Sequence, residues 1–104
     1  MIQKQFVGTG KKSKCRLTFT LPEQIWADEV YLVGSFNDWS ETSHPMRQSH
    51  SGEWRIVLDL PCDTVYEFRY LCDGEWFNDN TADGYYENPH GSHNSVVNTF
   101  IPAA

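Results

Sequence analysis

Three cysteines, four histidines and fourteen carboxylates are the side chains that could carry covalent, metal or acid–base chemistry in this chain of 104 residues. Their spacing offers little for any of these. Cys15, Cys62 and Cys72 are odd in number and form no CxxC pair, which argues against both a disulfide framework and a structural zinc site. His90 and His93 are close enough in sequence to reach one metal from a loop, but no third ligand accompanies them at a characteristic spacing, so no metal is expected. Glycoside hydrolysis needs two carboxylates about 5–10 Å apart across a cleft that surrounds the sugar. Fourteen acids supply some such pair by chance, and their number therefore carries no weight. No Gly-rich phosphate loop and no nucleophile elbow is present, and no cofactor is implied.

Non-covalent recognition is better provided for. Asp73-Gly74 separates two strand-like runs and suits a two-residue type I′ hairpin, in which both central residues need positive φ. That turn pairs Cys72 with Glu75, Leu71 with Trp76, Tyr70 with Phe77 and Arg69 with Asn78. Parity then places Tyr66, Phe68, Tyr70 and Phe77 on an aromatic core face, and Glu67, Arg69, Leu71, Trp76 and Asn78 on the other. A tryptophan beside an arginine on a polar face is either a cover for a neighbouring loop or a platform for a ligand. Carbohydrate is the natural ligand for such a platform. The C–H face of a pyranose stacks on an aromatic ring, while its hydroxyls take paired hydrogen bonds from Arg, Asn and Asp. Trp39, in the turn-like Asn37-Asp38-Trp39-Ser40, is a second candidate platform; Trp54, in phase with Ile56 and Leu58, belongs to the core, and Trp26 falls in a loop with neither role assigned.

The elements that position these residues are read from apolar alternation. Leu17, Phe19 and Leu21 alternate with Arg16, Thr18 and Thr20 before Pro22, and Trp54, Ile56, Leu58 and Leu60 alternate with Arg55, Val57 and Asp59 up to Pro61. Val30–Val33, Val65–Cys72 and Val96–Ile101 supply further strands. No stretch sustains a 3.6-residue period, and Pro22–Asp28 forms at most one loose turn. Strands at this spacing, divided by Ser51-Gly52, Pro61-Cys62-Asp63 and Asp73-Gly74, predict an all-β, immunoglobulin-like antiparallel sandwich of about seven strands. The longest irregular region runs from Asn78 to Asn94, and a loop of that length in so small a domain is usually functional.

Composition sets the limits. The length corresponds to one domain, and 14% aromatic content within 39% hydrophobic residues takes the chain out of the disordered regime. Residues 1–14 read as a basic N-terminal segment that has room for a first edge strand, and residues 15–104 as the sandwich. Lys4, Lys11, Lys12, Lys14 and Arg16 are five of the eight basic residues, so the body is acidic and repels a phosphate backbone; nucleic acid is not an expected partner. Without a run of about 18 apolar residues or a charged-then-apolar leader, a cytoplasmic protein without membrane contact is expected.

Three ordered segments, Val30-Tyr31-Leu32-Val33-Gly34-Ser35-Phe36-Asn37-Asp38-Trp39, Tyr66 to Trp76, and Asn88 to Val97, resemble the family-48 carbohydrate-binding modules. These include the early-set domain that precedes the catalytic barrel of isoamylases and glycogen-branching enzymes, and the glycogen-binding domain of the AMP-activated protein kinase beta subunit. The resemblance covers about residues 15 to 101 and implies an early-set sandwich that binds α-1,4-linked glucan without cutting it. It also implies action alongside a glucan-processing enzyme, because the catalytic acids of the related enzymes lie in a separate barrel. In the kinase-type domains the glucan lies across two tryptophans while a basic residue and an asparagine bond its hydroxyls; the matching positions are Trp39, Trp76, Arg69 and Asn94. Arg69 replaces a lysine, His90 replaces a leucine that contacts the glucan, and Ser92 replaces a threonine. The alternative from a different class is an interaction module whose sheet packs on an enzyme or on itself without binding sugar. Solvent-facing Trp39 and Trp76 distinguish a glucan platform from a wider apolar protein contact.

Overall fold

A computed structural model describes residues 2–8, 13–21, 26–89 and 91–101. Lys11, Lys12, Pro22, His90 and Pro102 lie outside these residues, as does most of the stretch read as one loose turn. Nine strands occur among the described residues: β1 (Ile2–Val7), β2 (Lys14–Leu21), β3 (Val30–Gly34), β4 (Arg47–Gln48), β5 (Trp54–Pro61), β6 (Val65–Cys72), β7 (Glu75–Phe77), β8 (Gly84–Glu87) and β9 (His93–Asn98). Seven of these are four residues or longer, in agreement with the sandwich expected from alternation. All pairings are antiparallel. One sheet runs β1-β2-β5-β4 and the other β3-β6-β9-β8, with β7 added to β6.

Alternation works as its physics requires. In β2 the side chains of Cys15, Leu17, Phe19 and Leu21 are buried, and the residues between them are not. Phe19 meets Phe68 of the opposite sheet edge to face, with ring centroids 5.1 Å apart, and Phe68 meets Tyr70 in the same way at 5.6 Å. Trp54 joins this cluster at 5% exposure, as its phase predicted. Burying each such large side chain is worth roughly 1.5–3 kcal/mol, so the inter-sheet cluster is what holds the two sheets together.

Three departures from the sequence reading have local causes. The region from Asn78 to Asn94 is not wholly irregular, because β8 pairs with β9 from Gly84↔Val96 to Glu87↔His93; its two tyrosines and flanking glycine carried too short a pattern to be read as a strand. The last strand ends at Asn98, two residues after Val96, and leaves Phe100 and Ile101 exposed. Phe77 shares the core parity of Tyr70 but is 42% exposed, since β7 pairs only with β6 and stops after three residues.

Beside β7 the chain turns inward at Asp79, which is buried. Tyr70 Oη donates to its Oδ2 at 2.6 Å, and the Thr81 N–H and hydroxyl donate to its Oδ1 at 2.7 and 2.6 Å. Its own N–H donates to Ser95 Oγ at 2.8 Å, and the Tyr85 hydroxyl donates to its carbonyl oxygen. Burial pushes the Asp79 carboxyl upward, but the hydrogen bonds from Thr81 and Tyr70 together outweigh it and hold the group below the usual carboxylate range. Burial, and then the Asp79 charge, raise the Tyr70 phenol above its ordinary value. The result is a satisfied polar anchor that fixes the chain between β7 and β8.

Candidate carbohydrate-binding site

The outer face of the second sheet is assembled by register. Glu67 and Arg69 point outward from β6; Val96 of β9 lies opposite Glu67, and Val33 of β3 lies opposite Arg69. Trp76 lies opposite Leu71, as the hairpin parity required. Asp73 and Gly74 have φ of 48° and 85°, the two positive values of a type I′ turn. This turn is tied down at a distance, since the Asp73 carboxylate accepts the N–H groups of Asp28 and Glu29 at 2.9–3.1 Å. Val33, Leu71 and Val96 are buried yet lie on this outer face, so what covers them is the outer-face side chains and loops and not the opposite sheet. They form an apolar layer beneath the outer-face side chains.

Trp39 arrives from the other side. β3 ends at Gly34 in close contact with β6: a Cβ there would lie 2.5 Å from the Glu67 carbonyl oxygen and 2.6 Å from Phe36 Cε1, so only glycine fits. A 3-10 turn (Ser35–Asn37) follows, closed by the Asn37 side chain. Its Oδ1 accepts the Gly34 N–H at 3.1 Å, and its Nδ2 lies within 3.1–3.2 Å of Leu32 O, Ser43 Oγ and His44 Nδ1. Asp38 and Trp39 then both adopt left-handed φ, 54° and 58°, and Trp39 N–H donates back to Gly34 O at 2.9 Å. Two consecutive non-glycine residues in this region are costly, and the Asn37 bonds are what hold them there.

Trp39, Arg69, Trp76 and Asn94 line one cleft of about 630 Å³, together with Glu67, Glu87, Asn88 and Pro89. Trp39 is 39% exposed and Trp76 40%, so each retains an open ring surface. The Arg69 guanidinium carbon lies 5.7 Å from the Trp76 ring centroid, a cation–π contact that orients both groups. Arg69 Nε is buried without a hydrogen-bond partner. Asn94 is held from two sides: its Nδ2 donates to Glu67 Oε1 at 3.3 Å, and its Oδ1 accepts from Asn88 Nδ2 at 3.2 Å. Ser92 does not line the cleft among the described residues; its N–H donates to Asn88 Oδ1 at 3.2 Å and its carbonyl accepts the Asn88 N–H at 2.8 Å, which closes the loop behind Asn94. His90 lies outside the described residues.

Glu67 was already on the polar face by parity, and its grip on Asn94 follows from its position on β6. Glu87 had no signal, because β8 was read as loop. The arrangement suits binding more than bond cleavage. It offers two flat apolar surfaces, a fixed cation, an oriented amide and carboxylate acceptors on an open surface. Among the described residues no cluster of three or more His, Cys, Asp and Glu side chains is placed to hold a metal ion. Burial, with Asp73 and Glu75 nearby, pushes the Cys72 thiol up to about 11, so it stays protonated and unreactive at neutral pH. No helix among the described residues is long and apolar enough to cross a membrane.

Comparison with known proteins agrees with the three motifs. Residues 17–101 match the family described as the glycogen recognition site of AMP-activated protein kinase. The 5'-AMP-activated protein kinase subunit beta-1 of Sus scrofa is 43% identical over 51 residues, which is 49% of this chain and 38% of that protein. The human subunit beta-1 is 41% identical over the same length, 49% of this chain and 17% of its own. A 1,4-alpha-glucan-branching enzyme of Dictyostelium discoideum is 53% identical over 32 residues, 31% of this chain and 5% of that enzyme. The matched region is thus well under two thirds of each relative's length. Since the family match covers β3 to β9, most of β2 and every residue that lines the cleft, the chain belongs to the glycogen-recognition family of carbohydrate-binding modules, family 48.

Proposed function

We propose that this chain is a non-catalytic module that binds α-1,4-linked glucan in the cleft between Trp39 and Trp76. The observation that carries this reading is that two tryptophans from different elements, each about 40% exposed, open onto one cleft with Arg69 and Asn94. Glucose rings stack their C–H faces on the two indoles, and the Arg69 guanidinium and Asn94 amide bond the hydroxyls at the ring edges. Arg69 is held in place by Trp76, and Asn94 by Glu67 and Asn88, so little ordering is required on binding. Ser92 supports Asn94 from behind, and His90 stands at the position from which relatives touch the glucan. The module acts in the cytoplasm and brings a glucan-processing enzyme partner to its polymer.

Calorimetric titration with maltoheptaose and β-cyclodextrin, alongside retention on insoluble starch, tests this. An open platform of two rings and a few hydrogen bonds gives a Kd of about 1 μM to 1 mM. The same samples release no reducing sugar from glycogen. Absence of binding at about 10 mM ligand, beyond that range, would leave the interaction-module reading in its place.

A further inference from the structure

The first sheet stops one strand short. β2 pairs with β5 along its whole length, from Leu21↔Trp54 to Lys14↔Pro61, whereas β4 on the other side pairs only Arg47 with Arg55 and Gln48 with Trp54. The chain before β4 is committed elsewhere: Met46 N–H donates to Val30 O, Leu32 N–H donates to His44 O, and Pro45 bridges Tyr31 of β3. No strand among the described residues therefore covers β5 from Ile56 to Leu60 on that side. Alternate residues of an antiparallel strand turn their N–H and C=O groups to each side, so this stretch carries open backbone donors and acceptors.

Burial tells the same story. Cys15, Leu17 and Phe19 of β2 are fully buried, but their cross-strand partners Leu60, Leu58 and Ile56 are only partly buried against the core. On the outward face Val57 is 44% exposed. Neither a bulge nor an inward-pointing charge blunts the stretch, and Pro61 comes only at its end.

Charge decides what fits there. Arg47 and Arg55 are directly opposite one another, an arrangement that repels unless an anion lies between or beside the two cations. Neither has an ion-pair partner among the described residues, where the pairs are Lys4–Asp83 and Arg16–Asp59. The two arginines line a cleft of about 390 Å³ with Pro45, Ser49, Ile56 and Val57, at the point where β4 leaves β5 uncovered. Glu53, two residues before Arg55, accepts the Ser51 hydroxyl at 3.3 Å. In a chain of net charge −6, an unneutralised arginine pair at an open strand edge is a local exception.

We propose that the edge of β5 from Ile56 to Leu60 takes up an extended, acidic segment of a partner protein by strand addition. Its backbone pairs with the open groups of β5. Its inward apolar side chains complete the cover over Ile56, Leu58 and Leu60, and its carboxylates meet Arg47 and Arg55. A second copy of this chain fits less well, because the place opposite Arg55 is held by Arg47 and two-fold pairing centred on Leu58 would set Val57 opposite the other copy's Asp59, whose carboxylate is already held by Arg16, so no free anion reaches the two arginines. This edge belongs to the first sheet and the glucan cleft to the second, so the two sites stand or fall separately.

The test is an NMR titration of the full chain with a short, end-blocked peptide that alternates valine with glutamate, combined with amide hydrogen exchange. Saturable shifts are expected at Arg47 and Arg55–Leu60, with slowed exchange at alternate β5 amides and a Kd of about 10 μM to 1 mM. Reversing both charges, Arg47→Glu with Arg55→Glu, should weaken the peptide on the order of tenfold and leave β-cyclodextrin binding unchanged. N-methylation of alternate peptide amides should abolish binding even though the charges remain. Shifts that avoid Ile56–Leu60, or equal binding of the N-methylated peptide, would overturn strand addition. Concentration-dependent dimerisation through this edge without peptide binding would assign it to a second copy instead.

Discussion

Removing the indole of Trp76 separates a sugar platform from a structural cover. A tryptophan presents up to roughly 250 Å² of surface, and 40% exposure leaves about 100 Å² of it open in the free protein. A sugar that covers between half and all of this area gains about 1.2–2.5 kcal/mol at roughly 25 cal/mol per Å². Trp76→Ala should therefore weaken maltoheptaose about 8- to 70-fold. Trp39 is equally open, and Trp39→Ala should fall in the same range. Each variant also loses some stability, because the covered part of the indole is given up with the open part; for Trp76 this includes the cover over Leu71 as well as the contact with Arg69, itself about 0.5–1 kcal/mol for an exposed cation–π pair, so affinities are compared on folded protein. Trp54→Ala supplies the contrast, because Trp54 is 5% exposed and its truncation should cost about 3–5 kcal/mol of stability while the folded fraction binds normally. The assay is calorimetric titration of each variant after urea denaturation has shown it folded. Folded Trp39→Ala and Trp76→Ala proteins that bind maltoheptaose as tightly as the wild type would refute the stacking argument and place any glucan elsewhere.

Gly34→Ala should cost about 1–3 kcal/mol, because its Cβ would lie 2.5 Å from the Glu67 carbonyl oxygen; glucan affinity should fall with it, since Gly34 O anchors the Trp39 N–H. Thermal melts and titrations check both, and an alanine variant with wild-type Tm would show that β3 and β6 can part without penalty. Asp79 has a native pKa below its unfolded value of about 3.9, so its contribution to stability is fully present above that pH and disappears as pH falls through the lower native value. Tyr70 works in the opposite direction: its raised pKa makes its contribution complete below about 10 and progressively lost above it. Urea midpoints from acid to alkaline pH should show a plateau with both limbs, and Asp79→Asn should flatten the acid limb; an unchanged acid limb would remove Asp79 from the account.

How much of this was legible follows from where period-two patterning is strong. β5 and β6 begin and end at the residues that alternation and Pro61 or Asp73-Gly74 marked, because both strands have one face in the core. Hairpin parity then placed Trp76 across from Leu71 without any long-range information. β8 was hidden because its four residues are stabilised by pairing with β9 and not by burying an apolar face of their own. Asp79 could not be singled out among fourteen acids, since its burial depends on partners nine and sixteen residues away, Tyr70 and Ser95. Leu71 was assigned to a polar face and is buried, for parity reports which side a residue faces and not what covers it.

That last mismatch bears on why a sandwich has a cleft on its outer surface at all. One edge of β6 is shared by two short partners: β9 pairs it at Val65–Phe68, and β7 at Tyr70–Cys72. Arg69 sits at the handover, where neither strand pairs with it on that side. A continuous partner would give a flat face, with side chains standing in even rows. Here β7 departs after three residues and leaves Phe77 exposed, while the chain beyond it is drawn inward by Asp79. The handover opens a depression lined from β6 by Glu67 and Arg69, whose walls come from three separate segments carrying Trp39, Trp76 and Asn94. Each wall residue is braced by a neighbour fixed in the sheet: Trp39 by Gly34, Trp76 by Arg69, Asn94 by Glu67. Because two of the braces, Arg69 and Glu67, lie on the central strand β6 and Gly34 abuts it, the cleft's geometry is set by the same register that sets the core.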